Sequence, residues 1–400
     1  MKIAQVCPYN FLRSGGVQSH IEYLATELRK KGHTVKIIAP AAKGVPSKRK
    51  DLILLGASNE LPWADTRIEL SIAVGKKRKE LKEVLKREKF DIIHFHEPWI
   101  PVISMQILAE SKSVNVATFH AANRKNILIQ SFATLVMPIA SSVVNLLDSI
   151  IAVSTVPTKY IREFSDKKIH IVPNGIDLQA FSRRKKPLQK YIDGKINILF
   201  LGRMDRRKGA IYLVKAFRRL KRKMKNIRLI LGGDGDEFES VQSYIKRYSI
   251  DDVEVLGYIE EKLKSRLYAT CDIYCSPALY GESLGIVLLE AMATGKSVVG
   301  GDNPGYRTVL KDTGSLFLVK PQKTDDFVKK LKILASNKEL REVMGQWGIQ
   351  EVKKYAWPRI VDSVINVYEQ ALNAKREVRI KDKKSVNESL KKWYKKLSDI

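Results

Sequence analysis

Twice along this chain, short apolar runs rich in β-branched residues alternate with segments of helical spacing. In the first half the runs cover residues 2–7, 35–39, 91–95, 114–119, 149–153 and 170–173. Between the first two, residues 17–30 place Ile21, Leu24, Ala25 and Leu28 on one helical face, and Gly32 ends the pattern. A strand covered on both faces reads as a continuous apolar run, and crossover helices supply that cover in a parallel sheet. The alternation restarts at 196–201 and continues through 227–231, 253–256, 273–276, 297–299 and 316–319. A charged, proline-containing segment, 182–190, reads as the linker between the two series. A late helix over 361–372 follows Trp357-Pro358, and proline is well tolerated at a helix start. The pattern predicts an α/β protein of two doubly wound, Rossmann-like domains facing a cleft. In such sheets ligands gather outside the carboxyl ends of the strands.

Charge narrows the partners. The 72 Lys and Arg against 43 Asp and Glu leave +29, which favours polyanions: nucleic acid, an anionic bilayer or phosphorylated substrates. Three cysteines, Cys7, Cys271 and Cys275, form no disulfide framework. No second Cys or His pair accompanies Cys271 and Cys275 to make a zinc site. The chain opens as a strand and not as a signal peptide, so a cytoplasmic setting is expected. Residues 127–153 are largely apolar but interrupted by Gln130, Pro138, Ser141, Ser142, Asn145 and Asp148. A span needs about 20 consecutive apolar residues, so this stretch reads as a buried or interfacial helix and then a strand.

Four strand ends carry chemistry. After the first strand, Gly15-Gly16-Val17 opens a helix whose free N–H groups suit a phosphate, although the pair is also an ordinary loop and no G-x-G-x-x-G is present. After 198–201 comes Gly202-Arg203-Met204-Asp205-Arg206-Arg207-Lys208-Gly209, where Arg203 and Lys208 can converge on a diphosphate. The bland alternative is a solvated basic turn. The third signal is Gly281-Glu282-Ser283-Leu284-Gly285-Ile286, leading to Glu290 about two helical turns after Glu282. One carboxylate can hold sugar hydroxyls and the other a ribose. Glu290 has apolar neighbours, and burying an unpaired carboxylate is costly. The fourth is His120, ending the strand Thr118-Phe119, placed to contact a reacting sugar. His94 and His96 share a strand face but lack the further ligands a metal needs, and Asp234-Gly235-Asp236 reads as a tight glycine turn. No metal and no cofactor are expected.

Taken together, these motifs resemble the family-4 retaining glycosyltransferases of the GT-B fold, from residue 1 to about 372. The specific combination is Glu282 with Glu290, the Gly202–Gly209 loop and the turn Val172-Pro173-Asn174-Gly175-Ile176-Asp177. Within that family, Val6-Cys7-Pro8-Tyr9, Gly15-Gly16-Val17-Gln18-Ser19-His20, His96-Glu97-Pro98 and Ala117-Thr118-Phe119-His120 are most similar to the bacterial phosphatidylinositol mannosyltransferases. The resemblance implies an acceptor-binding domain of residues 1–170 plus 356–373, a nucleotide-sugar domain of 171–355, and a basic tail of 374–400. It implies catalytic roles for His120, Arg203, Lys208 and Glu282. It implies donor binding by Gly15, Gly16, Gly257, Ser283, Leu284, Gly285, Ile286 and Glu290, and acceptor binding by Tyr9, Gln18 and Arg67. The implied reaction moves mannose from GDP-mannose to phosphatidylinositol. Two departures lie on the acceptor side: 61–67 lacks the family's Tyr-Asn pair, and Ala121-Ala122-Asn123 follows His120 where Ser or Thr is usual. Another nucleotide sugar, with a different lipid or a soluble polysaccharide acceptor, is the alternative.

Residues 76–90 place Leu81, Val84 and Leu85 on one helical face among eight basic and three acidic residues. The tail adds Leu390, Trp393 and Leu397 amid Lys391, Lys392, Lys395 and Lys396. Both suit an anionic lipid surface, predicting a peripheral protein on the inner leaflet, while the same face could pack on a protein core. The basic residues track helices and phosphate loops and are not interleaved with exposed aromatics, so no nucleic-acid partner is expected. A sugar-nucleotide epimerase of the same architecture would need a second carboxylate set near His120.

Overall fold

The computed structural model describes residues 1–11, 15–41, 49–63, 66–98, 103–121, 141–374, 388 and 391–392, with backbone only over 57–72. The chain divides into two units, Met1–Gly175 with Trp357–Ile400, and Ile176–Ala356.

The first unit is built on nine strands: β1 (Lys2–Val6), β2 (Thr34–Pro40), β3 (Leu52–Leu55), β4 (Ala57–Trp63), β5 (Thr66–Ile72), β6 (Ile92–His96), β7 (Val114–Phe119), β8 (Ser149–Ala152) and β9 (Ile169–Ile171). Seven form one parallel sheet in the order β3-β2-β1-β6-β7-β8-β9. Strand order reverses between β1 and β6, and that switch point opens a crevice at the carboxyl ends. One face is covered by the helix Gly16–Lys30, through Ile21, Leu24 and Leu28, and by the helix Trp357–Asn373, through Ile360, Val361, Val364 and Tyr368. The other face packs Leu81, Val84, Ile107 and Leu108. The expected boundary at 170/171 would cut β9, which is hydrogen-bonded to β8 and so belongs to this sheet.

Three strands of this unit went unread in the sequence, β3 and the antiparallel pair β4 and β5. The hairpin carries Arg67 opposite Pro62. The hairpin forms a two-stranded sheet of its own, separate from the parallel sheet.

The second unit holds β10 (Ile196–Leu201), β11 (Ile227–Gly232), β12 (Val253–Gly257), β13 (Ile273–Ser276), β14 (Ser297–Gly301) and β15 (Leu318–Val319). All pairs are parallel, in the order β12-β11-β10-β13-β14-β15, so the switch point falls between β10 and β13. Cores lie on both faces, one around Leu199, Tyr268, Leu288 and Met292, the other around Phe200, Phe217, Leu231 and Phe327. Segment 182–190, expected as a linker, is part of this unit. Phe181 and Leu188 pack on its core, and the Leu188 N–H donates to Thr270 Oγ1 at 2.8 Å. Its charge marks a solvated surface of the domain and not a join between domains.

The basic helix Lys76–Glu88 is amphipathic as expected, but its apolar face is already occupied. Leu81 and Val84 are buried in the first unit's core and Leu85 packs against it. The outward face is cationic, with Lys76, Lys77, Lys79, Lys82, Lys86 and Arg87 exposed. The expected lipid contact through Leu81, Val84 and Leu85 is therefore corrected: those side chains serve the fold, and the solvent-facing side is charged, mostly cationic with Glu80 and Glu83 among the cations. Among the described residues no helix is long and apolar enough to cross a membrane. Part of the apolar 127–153 stretch, and Leu390, Trp393, Leu397, Lys395 and Lys396 of the tail, lie outside the described residues.

Candidate functional site

In the second unit the site grows from the two loops that flank the switch point. After β10, the chain turns through 202–209 into the helix Ala210–Lys223. Gly209 takes φ +68°, and a Cβ there would come within 2.7 Å of the Pro277 carbonyl, so only glycine lets these loops touch. Asp205 organises the turn: its Oδ1 accepts from the Lys208 N–H at 2.9 Å, and its Oδ2 accepts from Arg203 at 2.8 Å. Lys208 Nζ then lies 2.8 Å from Glu282 Oε1, and Arg207 Nη1 lies 2.6 Å from the same oxygen. Two cations thus converge on one nearly buried carboxylate from the facing loop. Both pairs are short and shielded, which strengthens charge-assisted bonds.

Glu290 sits in the helix Ile286–Ala293 and is 8% exposed. Tyr268 Oη donates to its Oε2 at 2.7 Å. Burial pushes the carboxyl up to about 7, against the lowering influence of Tyr268, Lys264 and Lys208. A neutral-pH carboxylate poised at its titration point can accept hydrogen bonds from a diol, and ionises more readily once it does.

The sequence paired Arg203 with Lys208. The structure brings Lys208 to Glu282 and ties Arg203 to Asp205, with Arg203 58% exposed at its side chain. Ser283, Leu284 and Gly285 form the turn between Glu282 and the helix beginning at Ile286. Gly257 ends β12, where its carbonyl accepts from the Gly233 N–H at 2.7 Å, beside the glycine turn at 232–235. Arg207 and Asp205 were missed although they stand inside the motif, because a basic loop in a basic chain does not single them out. Tyr268, 22 residues before Glu290, gave no local signal at all.

In the first unit, His120 follows β7 and stands among three other histidines. His96 Nδ1 and His120 Nε2 are 2.9 Å apart, and His96 Nε2 is 2.7 Å from Gln5 Oε1. Gln5 Nε2 donates to Tyr368 Oη at 3.1 Å, Tyr368 Oη lies 2.6 Å from His94 Nδ1, and His94 Nε2 lies 2.7 Å from Thr118 Oγ1. With Gln5 assigned this way, proton positions follow in sequence. The Gln5 carbonyl oxygen accepts, so His96 Nε2 carries hydrogen and its Nδ1 accepts from His120 Nε2–H. His120 Nδ1 is left with its lone pair. Burial drives His120 and His94 down to about 3, and His20 and His96 well below the usual range. At neutral pH His120 therefore supplies a hydrogen bond and no charge.

Glu97, at φ +49°, accepts the backbone N–H groups of His120 and Ala121, the second at 2.5 Å. Burial holds its carboxyl up at about 7 despite those two bonds. Gly15 precedes the helix Gly16–Lys30, and Gly16 is exposed with open space about its Cα. Gln18 Nε2 donates to the Asn10 carbonyl at 3.3 Å, and Tyr9 packs against the core beneath that helix. One turn after Gly16, His20 joins the ring cluster, 4.7 Å from the His120 ring. The side chain of Arg67 lies outside the described residues.

Comparison with known proteins gives the family and the fold. The model of "Glycosyltransferase Family 4" matches residues 14–180 and that of "Glycosyl transferases group 1" matches 182–351. The phosphatidyl-myo-inositol mannosyltransferase of Mycolicibacterium smegmatis is 31% identical over 385 residues, covering 95% of this chain and 96% of that protein. Among solved structures, a glycosyltransferase from Rickettsia africae ESF-5 has a TM-score of 0.73 at 18% identity, covering 94% of this chain and 99% of its own. Sucrose-phosphate synthase from Thermosynechococcus elongatus has a TM-score of 0.74 at 19% identity, covering 94% and 100%. At those identities the two structures speak to the fold alone, which is two Rossmann-like α/β domains.

Proposed function

We propose that this chain, which belongs to glycosyltransferase family 4 and is a hexosyltransferase, moves mannose from GDP-mannose onto phosphatidylinositol with retention of configuration. The observation that carries the donor half is the convergence of Lys208 and Arg207 on Glu282 at the switch point. A diphosphate entering that loop finds Lys208 and Arg203 as counter-charges, and Glu282 is freed to accept sugar hydroxyls. Glu290 accepts from the ribose hydroxyls. The identity of the donor and acceptor rests on the similarity to the mycobacterial enzyme.

In this reading His120 stands beside the reacting sugar. Its neutrality leaves charge stabilisation to Arg203 and Lys208, and its Nδ1 lone pair can accept from a sugar hydroxyl. The sugar–phosphate bond breaks, the acceptor oxygen bonds the anomeric carbon on the same face, and the acceptor proton passes to a phosphate oxygen of the leaving nucleotide. No protein base, cofactor or metal is needed. The protein works at the cytoplasmic face of the membrane, held by the cations of the helix Lys76–Glu88 and not by its leucines.

The test is thin-layer chromatography after incubation with radiolabelled GDP-mannose and phosphatidylinositol liposomes. A mannosylated lipid absent with His120→Ala supports the reading. Slow GDP release that still needs Arg203 and Lys208, with no lipid product, would retain the transferase and replace the acceptor by another lipid or a polysaccharide.

A further inference from the structure

The ring cluster around His120 has a property that sugar transfer does not use. His20, His96 and His120 each offer a ring nitrogen, and these three atoms lie within 4.8 Å of one another. They come from three separate elements, the helix Gly16–Lys30, the end of β6 and the loop after β7. Ring centroids are 4.7 Å apart for His20 and His120, 5.2 Å for His96 and His120, and 5.4 Å for His20 and His96. Imidazoles at about 2.0–2.1 Å from a tetrahedral zinc have nitrogens about 3.3 Å apart. Small rotations of the rings close that difference.

Two further observations point to a ligand. His20 Nδ1 is buried and makes no hydrogen bond, although the residue is only 6% exposed. Asn174 Oδ1 is likewise buried without a well-formed hydrogen bond, and the Asn174 side chain faces both His20 and His120, where it favours a proton on each ring. Such atoms are costly to leave without partners. The outer partner is also in place: His96 Nε2–H donates to Gln5 Oε1, which turns the Nδ1 lone pair towards the cluster.

We propose that His20, His96 and His120 form a three-histidine site for a divalent transition metal of the zinc type, and that metal bound there blocks transfer by occupying His120. Three neutral nitrogens select zinc or cobalt over magnesium or calcium, which prefer oxygen, and the fourth position falls to water or Asn174 Oδ1. Binding requires His120 to move its ring proton from Nε2 to Nδ1. The hydrogen bond between His96 and His120 is exchanged for two metal–nitrogen bonds. The blocking half rests on the role of His120 proposed above; the binding half does not.

The experiment uses untagged full-length protein stripped with a chelator. Cobalt(II) is titrated while its visible absorption is followed, and zinc binding is measured by calorimetry. One metal per chain with a tetrahedral cobalt spectrum is expected. His20→Ala should weaken binding at least about tenfold, whereas His33→Ala, outside the cluster, should leave it unchanged. Unchanged circular dichroism for both variants separates ligand loss from misfolding. Failure to bind at micromolar metal, or binding that survives His20→Ala, overturns the site. Zinc that binds stoichiometrically while product formation continues overturns the blocking half alone. If no product forms even in metal-free protein, the proposed transfer fails and the binding result still decides the site.

Discussion

Replacing Glu290 by Gln should stabilise the second unit while weakening its hold on the donor. The carboxyl is raised from 4.5 to about 7 by burial. The sign follows from which state releases its proton first. Below pH 4.5 both the folded and unfolded chains keep the proton, and the group contributes nothing. Between 4.5 and 7 only the unfolded chain ionises, so stability falls as pH rises. Above 7 the penalty is constant. A gap of about 2.5 units at 1.36 kcal/mol each costs roughly 3 kcal/mol at pH 8, and less than about 1 kcal/mol at pH 5. Glutamine keeps an oxygen for the Tyr268 hydroxyl and never ionises, at a cost of about 1 kcal/mol for its buried amide. The variant's advantage over wild type should therefore grow by about 2–3 kcal/mol from pH 5 to pH 8. Urea unfolding at both pH values, read by pulsed hydrogen exchange of peptides covering Ile286–Ala293, isolates this unit's transition. An advantage equal at the two pH values would refute the argument, because it would mean the buried carboxyl does not titrate between them. In the same variant GDP affinity should lose its rise between pH 6 and 8, as followed by calorimetry.

Lys208→Ala should lower kcat/KM by about 10²–10³, more than its effect on folding explains; an unchanged kcat/KM in steady-state assays would remove Lys208 from the donor site. Gly233→Ala should destabilise the second unit by about 3 kcal/mol or more, since Gly233 has φ +137° and a Cβ would stand 1.8 Å from the Gly202 carbonyl oxygen; thermal unfolding would show it, and a wild-type midpoint would contradict the close approach. Sedimentation with anionic liposomes should be lost as salt rises and reduced by Lys79→Glu with Lys86→Glu, since each surface cation contributes about 1 kcal/mol near such a membrane. Binding that persists at high salt would point away from the cationic face.

Local pattern was enough to reveal the two parallel sheets, because a strand buried on both faces needs an unbroken apolar run and its covering helix needs a 3.6-residue stripe. It also singled out Glu282, Glu290, Lys208 and His120 as candidates, since loops at strand ends are where such folds place ligands. Partners across the fold were beyond its reach. Arg207 on Glu282, Tyr268 on Glu290 and Gln5 on His96 each join residues 22 to 91 positions apart. Only sheet order and helix packing bring them together. Nor could spacing tell whether Leu81 and Val84 face lipid or protein, because an amphipathic stripe satisfies either apolar neighbour equally. The first unit's core decided that question by burying them, just as the fold's interior, by excluding water, decided the protonation of Glu290 and His120.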